Sequence, residues 1–121
     1  MSILLVVATK TEIEPLLKQE SFIQQTSFFY SSQNIDVLIT GIGLTATAIA
    51  LTMQLHQKPY LHCINAGICG AFNNNLSIGE IVHIVNDRIS ELGRNIPDGF
   101  LPFTENQWIS PQTTLQLPLL Q

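Results

Sequence analysis

The acidic side chain best placed for chemistry is Glu12, which lies soon after the first apolar run of the chain. Residues 3–8 are β-branched and leucine-rich without alternation, as in a parallel strand buried on both faces. The segment Thr9-Lys10-Thr11-Glu12 follows, so a carboxylate is predicted at a helix start beside the end of that strand. Such a group can activate water or attract developing positive charge. The same spacing matches a capping box, in which Glu12 only completes the helix start.

Two glycine turns are predicted at the ends of further strands. Gly41-Ile42-Gly43 ends one strand, and Asn65-Ala66-Gly67-Ile68-Cys69-Gly70 follows another. Glycine lets the backbone approach a ligand closely, and open α/β sheets bind ligands at the carboxyl ends of their strands. We therefore expect Ile42 and Gly43 to border a ligand, with a tight turn that binds nothing as the alternative.

The cysteines and histidines are predicted to be structural. Cys63 and Cys69 form no CxxC pair and have no neighbouring ligand set, so free buried thiols and no metal site are expected. Core packing is favoured over a nucleophilic role for Cys69, because no local His or Lys would generate a thiolate. The histidines are expected to be hydrogen-bonded structural residues: His56, His62 and His83.

The elements that position these residues predict an α/β fold. A helix follows the first strand and starts late or is kinked, because Pro15 is tolerated only near a first turn. Apolar runs over 22–30 and 35–40 predict a hairpin and hence a mixed sheet. Residues 44–56 predict an almost uncharged helix buried on more than one face, ended by Lys58-Pro59.

Residues 61–65 and 78–85 are predicted as two more strands, and the region from 94 to 121 as irregular because it holds four of the six prolines. Two helices for five strands would leave one face of the sheet bare. The prediction is a mixed central sheet with flanking helices, in a single truncated domain over 1–121.

Composition narrows the class of protein. The 121 residues are 45% hydrophobic and 12% charged, with a net charge of −4, which predicts one soluble domain. Five scattered Lys and Arg residues cannot neutralise a polynucleotide, so no nucleic-acid partner is expected. No apolar run approaches the roughly 18 residues of a membrane span, and no basic region precedes the first strand. A cytoplasmic protein without a membrane partner is expected.

Four segments occur in order along residues 1 to about 100: 7–17, 40–43, 65–72 and 78–82. Short glycine motifs arise by chance, but four in this order are specific, and together they resemble the purine nucleoside phosphorylase and nucleosidase superfamily. Glu91-Leu92-Gly93 followed by Asp98-Gly99-Phe100 is similar to futalosine hydrolases, enzymes of a menaquinone pathway. The resemblance implies a phosphorylase/hydrolase-like fold, no cofactor and a homo-oligomer, for which the 44–56 helix is a candidate interface.

The resemblance also implies residue roles. Glu12 matches the glutamate that activates the water attacking the anomeric carbon of a nucleoside. The residues implied to bind the substrate are Thr9, Ile42, Gly43, Ile68, Cys69 and Gly70. Phosphorylases carry an arginine and a hydroxyl residue for phosphate where this chain has Asn65 and Ile68, so hydrolysis is expected instead of phosphorolysis. Arg88 and Glu91 are either substrate contacts or a surface ion pair.

Two functional groups of the family have no counterpart before Gln121: the acid that protonates the purine, and a Met-Glu motif that binds the ribose. The isolated chain is therefore expected to be inactive unless a second polypeptide supplies them. The alternatives are a 5′-methylthioadenosine/S-adenosylhomocysteine nucleosidase and a noncatalytic module. A dinucleotide-binding domain is disfavoured, because Thr-Lys-Thr-Glu stands where that fold has a glycine-rich turn.

Overall fold

The computed structural model describes residues 2–19, 21–85, 87, 89 and 92–102. The chain divides into two compact units, Met1–Phe72 and Asn73–Gln121. The elements in chain order are β1 (Ile3–Val7), α1 (Lys10–Gln19), β2 (Ile23–Gln24), β3 (Phe29–Ser31), β4 (Ile35–Ile39), α2 (Leu44–Gln57), β5 (His62–Asn65), β6 (Gly93–Ile96) and β7 (Gly99–Pro102). The first unit contains a mixed five-stranded sheet and both helices, which confirms the predicted α/β class.

The sheet of the first unit has the strand order β2-β3-β4-β1-β5. β1 lies parallel to both β4 and β5, with Val7 opposite Ile39 and Val6 opposite Asn65. The two remaining strands are antiparallel to their neighbours. The carboxyl ends of the three parallel strands therefore meet at one edge of the sheet, where the predicted site residues begin.

The apolar run over 22–30, predicted as one strand, folds into two. The N–H groups of Gln25 and Thr26 both donate to the carbonyl of Phe29, at 2.9 and 3.1 Å, so a tight turn separates β2 from β3. Local hydrogen bonding in this polar stretch outweighs the extended conformation. The predicted hairpin itself is confirmed, because β3 pairs antiparallel with β4.

The two helices cover opposite faces of the sheet. Alternate residues of a strand point to opposite sides. Val7 belongs to a core cluster that contains Ile13 of α1, whereas Val6 belongs to a cluster against which Ala50 and Leu51 of α2 pack. The predicted bare face is therefore wrong, since each face carries one helix.

Both helices differ in part from their predictions. α1 begins directly after Thr9, so it does not start late, and Pro15 lies inside it. α2 ends before Lys58 as predicted, but none of its residues is buried. It packs through one stripe, and large apolar side chains on its other sides, such as Ile49 and Met53, are exposed. The prediction of burial on more than one face is wrong because the sheet covers only one side of the helix.

A buried carboxylate anchors the end of α2 to the sheet. Asp36 of β4 is 1% exposed, and its Oδ2 accepts hydrogen bonds from Lys58 Nζ at 2.7 Å and from the Tyr60 hydroxyl at 2.9 Å. Gln54 of α2 donates to the same hydroxyl at 2.7 Å. Burial, followed by the nearby Asp36, raises the pKa of Tyr60 to about 12. The network joins the helix, the connection to β5 and the centre of the sheet.

The edge position of β5 explains why one prediction about the cysteines is wrong. All four residues of this strand are exposed, so Cys63 is exposed, and Cys69 is exposed in the loop beyond. The apolar sequence of 61–65 predicted a strand, and the cysteines were expected to be buried thiols. A strand with only one neighbour instead leaves much of its side-chain surface open to solvent.

The second unit corrects two predictions. A strand was expected over 78–85, but Ser77 and Glu80 form a turn there: the N–H of Ser77 donates to Glu80 Oε2 at 2.9 Å, and the N–H of Glu80 donates to the Ser77 carbonyl at 3.1 Å. The expected irregular region instead contains the antiparallel pair β6 and β7. Residues 103–121 lie outside the described part. Neither helix in the described ranges is long and apolar enough to cross a membrane.

Candidate active site

Three backbone segments lie side by side at the carboxyl edge of the sheet. The N–H of Thr40, just after β4, donates to the Val7 carbonyl at 2.9 Å, and the N–H of Gly41 donates to the Ala8 carbonyl at 3.1 Å. On the other side, the N–H of Ala66 donates to the Val6 carbonyl at 2.9 Å. These bonds continue the sheet by one or two residues. They hold the loops after β4 and β5 against the loop after β1.

Glu12 turns back from α1 onto the loop after β1. Its Oε2 accepts hydrogen bonds from the backbone N–H of Thr9 at 2.7 Å and from the Thr9 hydroxyl at 3.1 Å. The bond to the Thr9 N–H is the backward contact of a capping box, so the predicted helix cap is confirmed. One carboxylate oxygen is thus fixed by the residue that precedes the helix.

The other oxygen of the Glu12 carboxylate faces the loop after β5. A methyl group placed on the Cα of Gly67 would lie 3.3 Å from Oε1 and 3.9 Å from Cδ. The backbone of Ile68, the next residue, is also near enough to act on the carboxylate as a hydrogen-bonding group. The carboxylate therefore lies between the loops that follow two neighbouring parallel strands, β1 and β5.

The surroundings of Glu12 favour its charged form. The backbone N–H of Thr9 is the largest cause of a lowered pKa; burial opposes it, and the Thr9 hydroxyl and the backbones of Ile68 and Ala8 lower the pKa further. Hydrogen bonds donated to a carboxylate stabilise the anion. Glu12 is consequently ionised at neutral pH, and it can accept a proton or attract a positive charge.

The turn between β4 and α2 leaves the neighbouring part of this edge open. Gly43 precedes the helix with φ 106° and ψ 150°, a conformation that is essentially restricted to glycine. No side-chain hydrogen bond caps the helix at this residue. Ile42 is 82% exposed, while the Thr40 hydroxyl is held 3.0 Å from that of Thr47. The turn therefore presents backbone and an unpacked apolar side chain at the sheet edge.

The structure brings some of the predicted site residues together. Thr9 contacts Glu12 directly, and Ile68 does so through its backbone. The others are exposed in the loops after β4 and β5: Ile42, Gly43, Cys69 and Gly70. Gly67 was not among the residues predicted to form the site, although its place in a glycine-containing loop after a strand was a usable signal. Arg88 and Glu91 lie outside the described residues.

The described ranges contain no group of three or more His, Cys, Asp and Glu side chains arranged to hold a metal ion. The substrate-binding roles of the loop residues remain predictions, because the structure establishes only that these residues lie at this edge of the sheet. Among the described residues at this edge, Glu12 is the acidic side chain whose hydrogen bonds are defined. Any chemistry assigned to this edge must therefore begin with that carboxylate.

Comparison with known proteins gives one partial similarity. The sequence is 43% identical over 49 residues to a 5′-methylthioadenosine/S-adenosylhomocysteine nucleosidase of Shewanella frigidimarina (strain NCIMB 400). The match covers 39% of this chain, and the chain spans only about a fifth of that protein, 21% of its length. No family model and no solved structure matches the chain. The similarity supports the nucleoside phosphorylase and nucleosidase superfamily, without singling out futalosine hydrolases within it.

Proposed function

We propose that this chain carries the water-activating part of a nucleosidase site, which hydrolyses the N-glycosidic bond of a purine nucleoside. The observation that carries the proposal is the position of the Glu12 carboxylate, fixed on Thr9 and facing the loop after β5. The partial similarity to a nucleosidase supports the same reaction class. The substrate is a small molecule, and the chemistry needs no cofactor.

The reaction breaks the bond between the anomeric carbon and the purine nitrogen, and the bonding electrons leave with the purine. An oxocarbenium-like sugar remains, and the oxygen of a water molecule bonds to its anomeric carbon. That water loses one proton, while the purine gains one from an acid. Glu12 serves as acceptor for the first proton, and its negative charge stabilises the sugar cation.

A late proton transfer to Glu12 agrees with its lowered pKa. A carboxylate stabilised by the N–H of Thr9 is a weak base toward bulk water. Once the water oxygen begins to bond to a sugar cation, its protons become far more acidic. Glu12 is therefore suited to orient water and attract positive charge early, and to accept the proton late.

Hydrolysis is proposed in preference to phosphorolysis. A phosphate ion needs fixed positive charge or several convergent donors. Ile68 is apolar and 87% exposed where the related phosphorylases carry a phosphate ligand, and Asn65 adds no charge. A turnover rate that rises in proportion to phosphate concentration would contradict this part of the proposal.

Futalosine is the proposed substrate, with hypoxanthine and dehypoxanthinyl futalosine as products. The proposal rests on the segments 91–93 and 98–100, of which the second forms the turn into β7. The alternative substrate is 5′-methylthioadenosine or S-adenosylhomocysteine, favoured by the name of the similar protein. The released base distinguishes them, because futalosine yields hypoxanthine and the alternatives yield adenine.

We further propose that both units of the chain belong to one incomplete domain of this enzyme, since the chain spans about a fifth of the similar nucleosidase, and that additional polypeptide supplies the acid and the ribose-binding motif. Without an acid for the departing purine, the rate falls by about 10²–10⁴. A homo-oligomer is proposed through α2, whose exposed apolar side chains include Ile49 and Met53. Sedimentation of the wild type and of a Met53→Lys variant tests this contact.

The test of the proposed function is a base-release assay on the chain, alone and combined with a polypeptide that carries the acid and the ribose-binding motif. Glu12→Gln should lower kcat/KM by about 10²–10⁴, because the amide accepts no proton and carries no charge. Glu14→Gln is the matched control: Glu14 lies on the same helix, but its carboxylate pairs with the exposed Lys18 at 3.2 Å. Equal turnover in both variants would overturn the role of Glu12. Purine-induced thermal stabilisation of the chain would argue against a noncatalytic module.

A further inference from the structure

Gly67 is a glycine whose backbone conformation does not demand glycine. The positive-φ glycines of the described chain are Gly41, Gly43, Gly79 and Gly99, and Gly67 is not one of them. A positive φ is therefore not what requires glycine at this position. The reason for the missing side chain must lie in what a side chain would contact.

That contact is the Glu12 carboxylate. A Cβ on Gly67 would lie 3.3 Å from Oε1, closer than ordinary van der Waals contact between a methyl carbon and an oxygen. Gly70, three residues further along the same loop, has no atom within 4 Å of an equivalent Cβ and no positive φ. Of these two glycines of the loop after β5, the restriction therefore applies to Gly67.

The carboxylate has little freedom to yield. Its Oε2 is held by the Thr9 N–H at 2.7 Å and by the Thr9 hydroxyl at 3.1 Å, so turning Oε1 away would lengthen these bonds. Otherwise the loop after β5 must move outward, which carries the backbone of Ile68 away from the carboxylate. Either response changes the hydrogen bonds that keep Glu12 ionised.

We propose that Gly67 is a positioning residue: its missing side chain leaves the space in which the Glu12 carboxylate rests against the loop after β5. The catalytic consequence rests on the proposed nucleosidase function, whereas the placement of the carboxylate does not. The placement can therefore be tested in the chain without substrate.

The experiment is an NMR titration of the Glu12 carboxyl in the full chain, with the Thr9 amide as a second reporter because it donates to Oε2. Gly67→Ala should raise the pKa of Glu12 relative to the wild type, since moving the carboxylate or the loop away from the methyl group weakens the hydrogen bonds that stabilise the anion. Gly70→Ala is the matched control for this measurement and should leave the Glu12 titration where it is. Glu12→Gln identifies the signal by abolishing it.

An unchanged Glu12 titration in a folded Gly67→Ala chain would overturn the proposal, as would an equal shift in Gly70→Ala. If Gly67→Ala does not fold, the double variant Glu12→Ala/Gly67→Ala decides, because removing the carboxylate removes the contact. Recovery of the fold supports the proposal, and continued unfolding overturns it. If the titration shifts as expected while Glu12→Gln leaves turnover of the completed enzyme unchanged, the positioning stands and the nucleosidase function fails.

Discussion

Replacing Lys58 by methionine tests how much the ion pair between Lys58 and the buried Asp36 carboxylate contributes to the free energy of unfolding. The substitution keeps most of the aliphatic stem and removes the ammonium that lies 2.7 Å from Asp36 Oδ2. Asp36 is 1% exposed, and its Oδ1 is buried without a hydrogen-bond partner among the described residues. The Tyr60 hydroxyl would then be the one remaining donor from this network to the carboxylate.

The expected loss of stability follows from the exposure of each partner. Removing one member of a fully buried ion pair costs about 3–5 kcal/mol. The Lys58 side chain is 46% exposed, so solvent already screens the pair, and we expect Lys58→Met to cost about 2 kcal/mol. Asp36→Asn should cost about 1 kcal/mol, because the freed ammonium can turn to water while the amide still receives the Tyr60 bond. The order of these two losses is the sharper prediction.

Urea unfolding at neutral pH measures both variants. A loss of about 2 kcal/mol lowers the midpoint by about 1 M at an unchanged slope. The matched control is Lys18→Met, which removes an ammonium 3.2 Å from Glu14 in a pair whose side chains are 72% and 45% exposed. This exposed pair should contribute at most about 0.5 kcal/mol. Equal losses for Lys58→Met and Lys18→Met, or a larger loss for Asp36→Asn, would refute the reasoning.

Three further predictions concern the hydroxyl network and the sheet edge. Because the folded-state pKa of Tyr60 is raised to about 12, its contribution to the free energy of unfolding is present below about pH 10 and fades as the pH rises toward 12. Tyr60→Phe should lack this loss of stability at alkaline pH, which unfolding measurements and tyrosinate absorbance can follow. Gly43→Ala should cost about 1–3 kcal/mol in thermal unfolding because of its φ of 106°, whereas Gly70→Ala should cost under about 0.5. Thr9→Val should raise the pKa of Glu12 in an NMR titration but leave it below its ordinary value, because the N–H bond remains.

Local sequence signals predicted most of the first unit. The apolar run at the start of the chain, in which polar residues do not alternate, predicted the strand β1. The uncharged segment before Lys58-Pro59 predicted α2, and the apolar segment after it predicted β5. These signals succeed because apolar content and a proline break act on the chain locally. Burial of α2 and of Cys63 was predicted wrongly, because the number of neighbours around an element depends on which other elements reach it.

The second unit shows the opposite failure. Pro97 and Asp98 precede Gly99, a pattern that favours a turn, and the hairpin of β6 and β7 forms around it. The many prolines of this region favoured a prediction of irregular structure, so the turn pattern was overlooked. Conversely, a strand was predicted from Ile78 to Val85, but hydrogen bonds between Ser77 and Glu80 form a turn where that strand would start.

At the candidate site, the sequence identified Glu12 and Thr9 but left capping and catalysis as alternatives. The structure shows why the two are compatible. A carboxylate has two oxygens, and the capping bonds use Oε2 on Thr9 while Oε1 faces Gly67. Holding one oxygen limits rotation of the whole group, so the cap itself determines where the free oxygen lies. It follows that substitutions weakening the cap should also displace the group proposed to activate water, and that helix stability and turnover should fall together at position 9.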